Sequence, residues 1–324
     1  MYSPSWSSSG RMVRGLLPIL AAVLLAAAAG CAGRACYRAP DEPVGNDAVH
    51  VPGVVAFEQA EGRCGPAALA SMLTWSGLDI RPADLEEMTW DPGAGGSLQA
   101  SLVGAARRHG RIAYEIHGME RLEEELSAGF PALVLLNQGL SWWPAYHYAV
   151  VAAIDPECGY VVLASGNPYL ERISLSLFRR MWDRAGNWAL LVIDPAAGRL
   201  PAAAAADRWV EAVYGLERAR QHEAARAGYA EALKRWPEHP GALMGKANAL
   251  YALGEVEAAA DTLESAASLH PASAPILNNL AHVRMAMGSL SEALEAADRA
   301  VAIGGAHADA YRHTREKIRK ALIE

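Results

Sequence analysis

The 324 residues include only four cysteines and three phenylalanines, and 29 Lys and Arg stand against 36 Asp and Glu for a net charge of −7. Each scarcity excludes something. The cysteines, Cys31, Cys36, Cys64 and Cys158, are too few for a disulfide scaffold and form no close C-x-x-C pair of the kind that holds structural zinc. No metal or other cofactor is therefore implied, and each cysteine is read singly. An acidic chain with no basic stripe is a poor match for nucleic acid, whose phosphates call for clustered Lys and Arg. Alanine is abundant where Phe is scarce, which favours closely approaching helices, at least in the second half. The N-terminal apolar run, Leu16 to Ala29, is shorter than the about 20 residues that span a bilayer. The length allows about two domains of ordinary size.

Arg11 and Arg14 precede that run, Pro18 interrupts it, and it ends in Ala28-Ala29-Gly30 directly before Cys31. A basic n-region, an apolar h-region and small residues mark an export signal, and residues 1–30 are set aside from the fold. The junction resembles the lipobox of bacterial lipoprotein precursors, with Ala28 where Leu is usual. That resemblance implies lipidation of Cys31 and, with Ala32 rather than Asp after it, a lipid anchor in the outer membrane facing the periplasm. The alternative is an ordinary signal peptide cut at a nearby Ala-x-Ala site. Residues 31–50 are polar, carry Pro40, Pro43 and Gly45, and are expected to be an unstructured tether that includes Cys36.

The C-terminal third repeats every 34 residues: Pro237 and Pro271, Gly254 and Gly288, Ala225, Ala259 and Ala293, and Ala232, Ala266 and Ala300. This period resembles the tetratricopeptide repeat. Trp209, Leu243 and Leu277 take its early large position, and the two alanine series take the small positions where helices cross. Val213, Ala247 and Ala281 stand where Gly is frequent, and Gly305 replaces a third Pro. Three helical hairpins are expected over 206–306, with a capping helix over 309–322. Such arrays commonly bind a protein or peptide partner; the alternative is a generic Ala-rich bundle.

Between tether and repeats, Cys64-Gly65-Pro66-Ala67-Ala68 opens a helix: Pro66 suits its first turn, Leu69, Met72 and Leu73 form its apolar stripe, and Gly77 can end it. A cysteine at a helix N-terminus lies at the positive end of the dipole, which favours the nucleophilic thiolate. A buried inert thiol, or a disulfide to Cys158, is the plainer alternative. The base that such a nucleophile needs is sought among His109, His117 and His147. His109 lies at a polar helix end and His117 precedes a helix expected over 119–128. His147 opens a strand-like run, Tyr146 to Ile154, in which His147, Ala149 and Val151 share a face. A second strand over 159–164 makes a hairpin, followed by Ser165-Gly166-Asn167-Pro168. Further helices are expected over 85–90, 98–108 and 174–182 and strands over 131–136 and 188–193, with residues 196–205 as a linker. Trp142 and Trp143, just before the histidine, are either packing residues or the wall of a substrate groove.

Residues 51–195 resemble the bacteriocin-processing family of papain-like cysteine peptidases, the double-glycine leader peptidases. The resemblance rests on Gln59-x4-Cys64-Gly-Pro-Ala-Ala, on His147-Tyr-Ala-Val-Val before a hairpin, and on Asn167-Pro168. It implies an α+β papain-like domain with a small antiparallel sheet, followed by an all-α array. It also implies roles: Cys64 as nucleophile, His147 as general base, Gln59 as oxyanion donor and Asn167 as the residue orienting His147. Two departures matter. The family's Gln often stands six residues before the Cys, where this chain has Glu58, and its third member is commonly Asp. Ser165 and Asp155 are therefore alternatives to Asn167. The activity implied is hydrolysis of a peptide bond in a peptide or protein substrate. The rival readings are an inactive peptide-binding scaffold and an acyl or peptidyl transferase with the same Cys–His chemistry.

Overall fold

The computed structural model describes residues 49–324. Cys31, Cys36 and the lipobox lie outside the described residues.

The first part is an α+β domain built on one antiparallel sheet. Its elements in chain order are β1 (Val49–His50), α1 (Cys64–Trp75), α2 (Pro82–Thr89), the short pair β2 (Trp90–Asp91) and β3 (Gly96–Ser97), and α3 (Gln99–Arg108). Then follow β4 (Ile112–His117), α4 (Met119–Ser127), β5 (Ala132–Asn137), β6 (Tyr146–Asp155), β7 (Tyr160–Ala164), β8 (Glu171–Ser174), α5 (Leu175–Asp183) and β9 (Trp188–Ile193). The strands run in the order β4-β9-β5-β6-β7-β8 and β1 pairs with β6, seven strands in all. The sheet is thus larger than the expected hairpin with two outlying strands. β4 and β8 were missed as strands because β4 ends on a charged and a polar residue and β8 is short and half exposed.

Helices cover both faces, so the inner strands are continuous apolar runs rather than alternating ones. On one face Leu69, Met72 and Leu73 of α1, with Leu85 and Leu102, pack on Leu133, Tyr148, Val150, Leu190 and Val192. On the other, Leu122, Leu126, Phe178 and Trp182 pack on Val134, Leu136, Ala149, Val151, Leu191 and Ile193. A shift of register between Val151 and Ala153 marks a bulge in β6.

The second part is a run of antiparallel helices: α6 (Ala206–Arg218), α7 (His222–Arg235), α8 (Pro240–Ala252), α9 (Val256–Leu269), α10 (Ala274–Ala286), α11 (Leu290–Ile303) and the cap α12 (Ala308–Ala321). The repeat positions are filled for steric reasons. Ala225, Ala259, Ala293, Ala232, Ala266 and Ala300 are all fully buried where helices cross, and Gly254 and Gly288 turn between paired helices at φ +83 and +78.

The first hairpin does not stand apart from the sheet. Trp209, Ala212, Val213 and Leu216 of α6 enter the same core as Ile112, Tyr114 and Ile116 of β4, and the Trp209 and Tyr114 rings lie 6.1 Å apart. The segment expected as a linker is fastened to α4. The buried Glu125 carboxylate accepts N–H bonds from Ala202 and Ala203 at 2.9 and 3.0 Å, and Arg199 donates to the Ala128 carbonyl at 2.6 Å.

Candidate active site

Cys64 is the first residue of α1, a half-buried free thiol. Arg63 precedes it with no side-chain cap, so the first N–H groups of the helix carry the partial positive charge of the dipole at the sulfur's position. Gly65 is required here: a Cβ would lie 2.2 Å from the Ser97 Oγ. Cys158 is disulfide-bonded and Cys64 is free, so the two are not paired with each other.

The sheet brings the start of β6 to this helix end. Tyr148, in the layer beneath α1, donates from its hydroxyl to the Ser97 carbonyl at 3.2 Å. Burial pushes its phenol pKa up, and the neighbouring Cys64 adds to that. The Ser97 Oγ, between Gly65 and this bond, is buried without a hydrogen-bond partner. Gln59 packs against the turn at Gly166. Its N–H donates to the Gly166 carbonyl at 3.0 Å, and its amide lies where a Gly166 Cβ would be, 2.3 Å from Cδ. The Gln59 Oε1 is buried without a partner. A turn closed by Arg63 N–H to the Ala60 carbonyl, 3.0 Å, carries the chain from Gln59 to Cys64.

His147 is half-buried at the open end of β6, with Nε2 2.8 Å from the Ser165 Oγ. Burial lowers its pKa below the ordinary imidazole value, and a bond to the Ser165 main chain opposes that. The expected orienting residue is corrected at this point: the Asn167 amide donates to Glu171, and it is Ser165 that meets the ring. Gly166, at φ +92, turns the chain between the two. Asp155 is at the far end of β6, where it accepts from the Cys158 N–H at 2.8 Å. Among the described residues no hydrogen bond joins Cys64 to His147. The β6 side chain in the layer beneath α1 is Tyr148, while Ala149 and Val151, on the face expected for His147, belong to the opposite core.

The other candidates separate cleanly. His109 Nδ1 bonds its own helix at the Ala105 carbonyl, 2.8 Å, and His117 is exposed at the end of β4. Trp142 and Trp143 are 78% and 74% exposed, so they are not packing residues. Their loop is held by Asn137, whose Oδ1 accepts from Gly139 at 2.9 Å and Ala145 at 3.0 Å. Among the described residues no group of three His, Cys, Asp or Glu side chains could hold a metal ion.

Sequence reasoning missed Tyr148 and Ser97. Tyr148 looked like one strand residue among several, and Ser97 is distant in sequence. A Gly immediately after Cys64 was the available signal that another element presses on the helix start.

No family model matches the chain, and no curated protein matches it. Similar solved structures exist for each part. The peptidase domain of Streptococcus ComA, a bi-functional ABC transporter involved in quorum sensing, is 22% identical; the match covers 43% of this chain and 98% of that one, at a TM-score of 0.37. A C39-like peptidase from Bacillus anthracis is 16% identical over 46% of this chain and 98% of that one, at 0.40. The Sgt2 tetratricopeptide domain from Aspergillus fumigatus is 24% identical over 37% of this chain and 80% of that one, at 0.35. Likenesses of this degree say nothing of activity.

Proposed function

We propose that this chain is a cysteine peptidase of the bacterial envelope, with Cys64 as nucleophile, His147 as general base and Gln59 as oxyanion donor. The observation that carries the reading is the free, half-buried Cys64 thiol at the start of α1, at the sheet end that bears His147. A neutral imidazole is the form that accepts a proton, and burial shifts His147 towards that form. The thiolate attacks the substrate carbonyl, and the Cys64 N–H with the Gln59 amide stabilises the oxyanion. The repeats recruit a protein partner or hold the substrate. Lipidation of Cys31 would tether the domain to the membrane, probed by whether Cys31→Ser releases the protein from the membrane fraction.

The test of catalysis is labelling with a thiol-reactive peptidase inhibitor. The expected outcome is stoichiometric label on wild type, none on Cys64→Ala and slow label on His147→Ala. A second reading, a peptide-binding scaffold, is favoured by the missing Cys64–His147 hydrogen bond, although catalytic bonds often tighten only with substrate bound. Equal labelling of wild type and His147→Ala would favour the scaffold. Product formation only when an amine acceptor is added would instead favour a transferase.

A further inference from the structure

We propose that the cavity between β4 and α6 is a binding site for a small zwitterion, whose carboxylate pairs with Arg107 and whose ammonium pairs with Glu211. A free amino acid and a short peptide both carry that chemistry. The cavity belongs to the β4 edge of the sheet, three strands from β6, and the inference does not depend on the peptidase reading.

Three observations carry it. First, α3, β4 and α6 enclose a space of about 260 Å³ lined by Arg107, Tyr114, Glu115, His117, Arg208 and Glu211. Second, Arg107 lacks a counter-ion. Its Nε is buried without a hydrogen-bond partner, and among the described residues its guanidinium forms no ion pair. Burial pushes its pKa below the ordinary guanidinium value, with the charge of Glu115 opposing. The neighbouring groups are partly engaged: Glu115 accepts from the Trp188 indole at 2.6 Å, and Arg208 donates to the Glu115 carbonyl at 2.9 Å. A half-buried charge left in this state costs stability unless something in the cavity answers it.

Third, α6 is shaped to admit Arg107. A Cβ on Gly215 would lie 2.3 Å from the Arg107 Nε and 2.5 Å from its Cζ. At the same place in the second and third hairpins, 34 residues apart, stand Ala249 and Val283. Glycine inside a helix weakens it, and here it opens the path along which the guanidinium reaches the cavity.

The lining selects the ligand. Two guanidinium and two carboxylate groups share one small space. A simple anion would meet Glu115 and Glu211, and a simple cation would meet Arg107 and Arg208. A molecule bearing both charges satisfies both signs, and the fork of guanidinium donors fits a carboxylate in two-bond geometry. The volume falls below the about 300–1,000 Å³ of sites for drug-sized ligands, which suits an amino acid or a dipeptide.

The test is calorimetric titration of the full chain with L-alanine, L-alanyl-L-alanine, propionate, ethylammonium and inorganic phosphate. At least one of the two zwitterions should bind saturably, and which of them does so separates a free amino acid from a peptide. The three single-charge probes should bind at least roughly tenfold more weakly, the scale of one lost charge-assisted bond. Arg107→Met, which keeps the length of the stem, should weaken the zwitterion by a similar factor. Gly215→Ala should do the same by displacing Arg107, and the exposed Glu211→Gln should weaken the zwitterion but not propionate. Cys64→Ala should bind as wild type does. Binding of neither zwitterion, or equal binding of propionate or phosphate, would overturn the proposal. So would full affinity in Arg107→Met, or loss of binding in Cys64→Ala, which would move the ligand to the candidate active site.

Discussion

The first and second repeats share one 34-residue pattern, yet different cores hold them. Trp209, Leu216, Ala225 and Tyr229 of the first share their core with the sheet strands, whereas Ala259, Leu263, Leu277 and Ala293 of the outer repeats form a core of their own. The boundary runs through α8: Ala242 and Ala249 face the sheet's core, and Leu243, Ala247 and Leu250 face the outer one. A repeat buries its apolar face only against a neighbour. For the first repeat one neighbour is β4, so the sheet domain caps the array and the array supplies a layer of the sheet domain.

The largest effect that would sharpen this comparison is Trp209→Ala. Trp209 is fully buried, donates to the Gly228 carbonyl at 2.9 Å and lies against Tyr114. Its loss should cost about 3–5 kcal/mol and lower the urea midpoint of sheet and repeats together. Two separate transitions, with the sheet's unmoved, would break the shared-core account. Next is Ala259→Trp, which overpacks the outer core at about 1–3 kcal/mol. Hydrogen exchange should quicken in α9 to α11 and stay unchanged in β5 and β6; equal acceleration in both would merge the two cores.

Smaller still is Glu125→Ala, which removes the acceptor of the Ala202 and Ala203 N–H groups and should cost about 1 kcal/mol. The readout is faster exchange at those two amides with alkylation of Cys64 unchanged. The smallest effect is pH-linked. The folded pKa of His147 is lowered by burial, so its contribution is present above the unfolded value of about 6.5 and is lost as pH falls through the folded pKa. His147→Gln should flatten that part of the stability curve measured by denaturation between pH 7 and 5; an unchanged curve would assign the slope to other groups.

Much of the fold was legible for local reasons. The helix at Cys64 follows from Pro66 and the stripe of Leu69, Met72 and Leu73, and the hairpins follow from alanines spaced at the period of a crossing. What failed had contrary local signals. β4 reads as half polar because Glu115 and His117 interrupt it, although Glu115 is engaged by the Trp188 indole at 2.6 Å. The expected linker, rich in small residues, has no pattern of its own, and its bonds come from α4, distant in sequence.

At the candidate site the division is sharper. Residue type and spacing singled out Cys64 and His147, because a thiol before Gly-Pro at a helix start and a histidine opening an apolar strand are local facts, whereas Gln59 came in through the family resemblance. Which atom meets the His147 ring was not local. Ser165 and Asn167 flank Gly166 in the same turn, and a period-two alternation places both on one face. Only the packing of Gln59 into the open side of Gly166, and the capture of Asn167 by Glu171, turned the serine to the ring and the asparagine away. The pattern of a sequence specifies which residues can meet; side chains from distant segments competing for the same space decide which of them do.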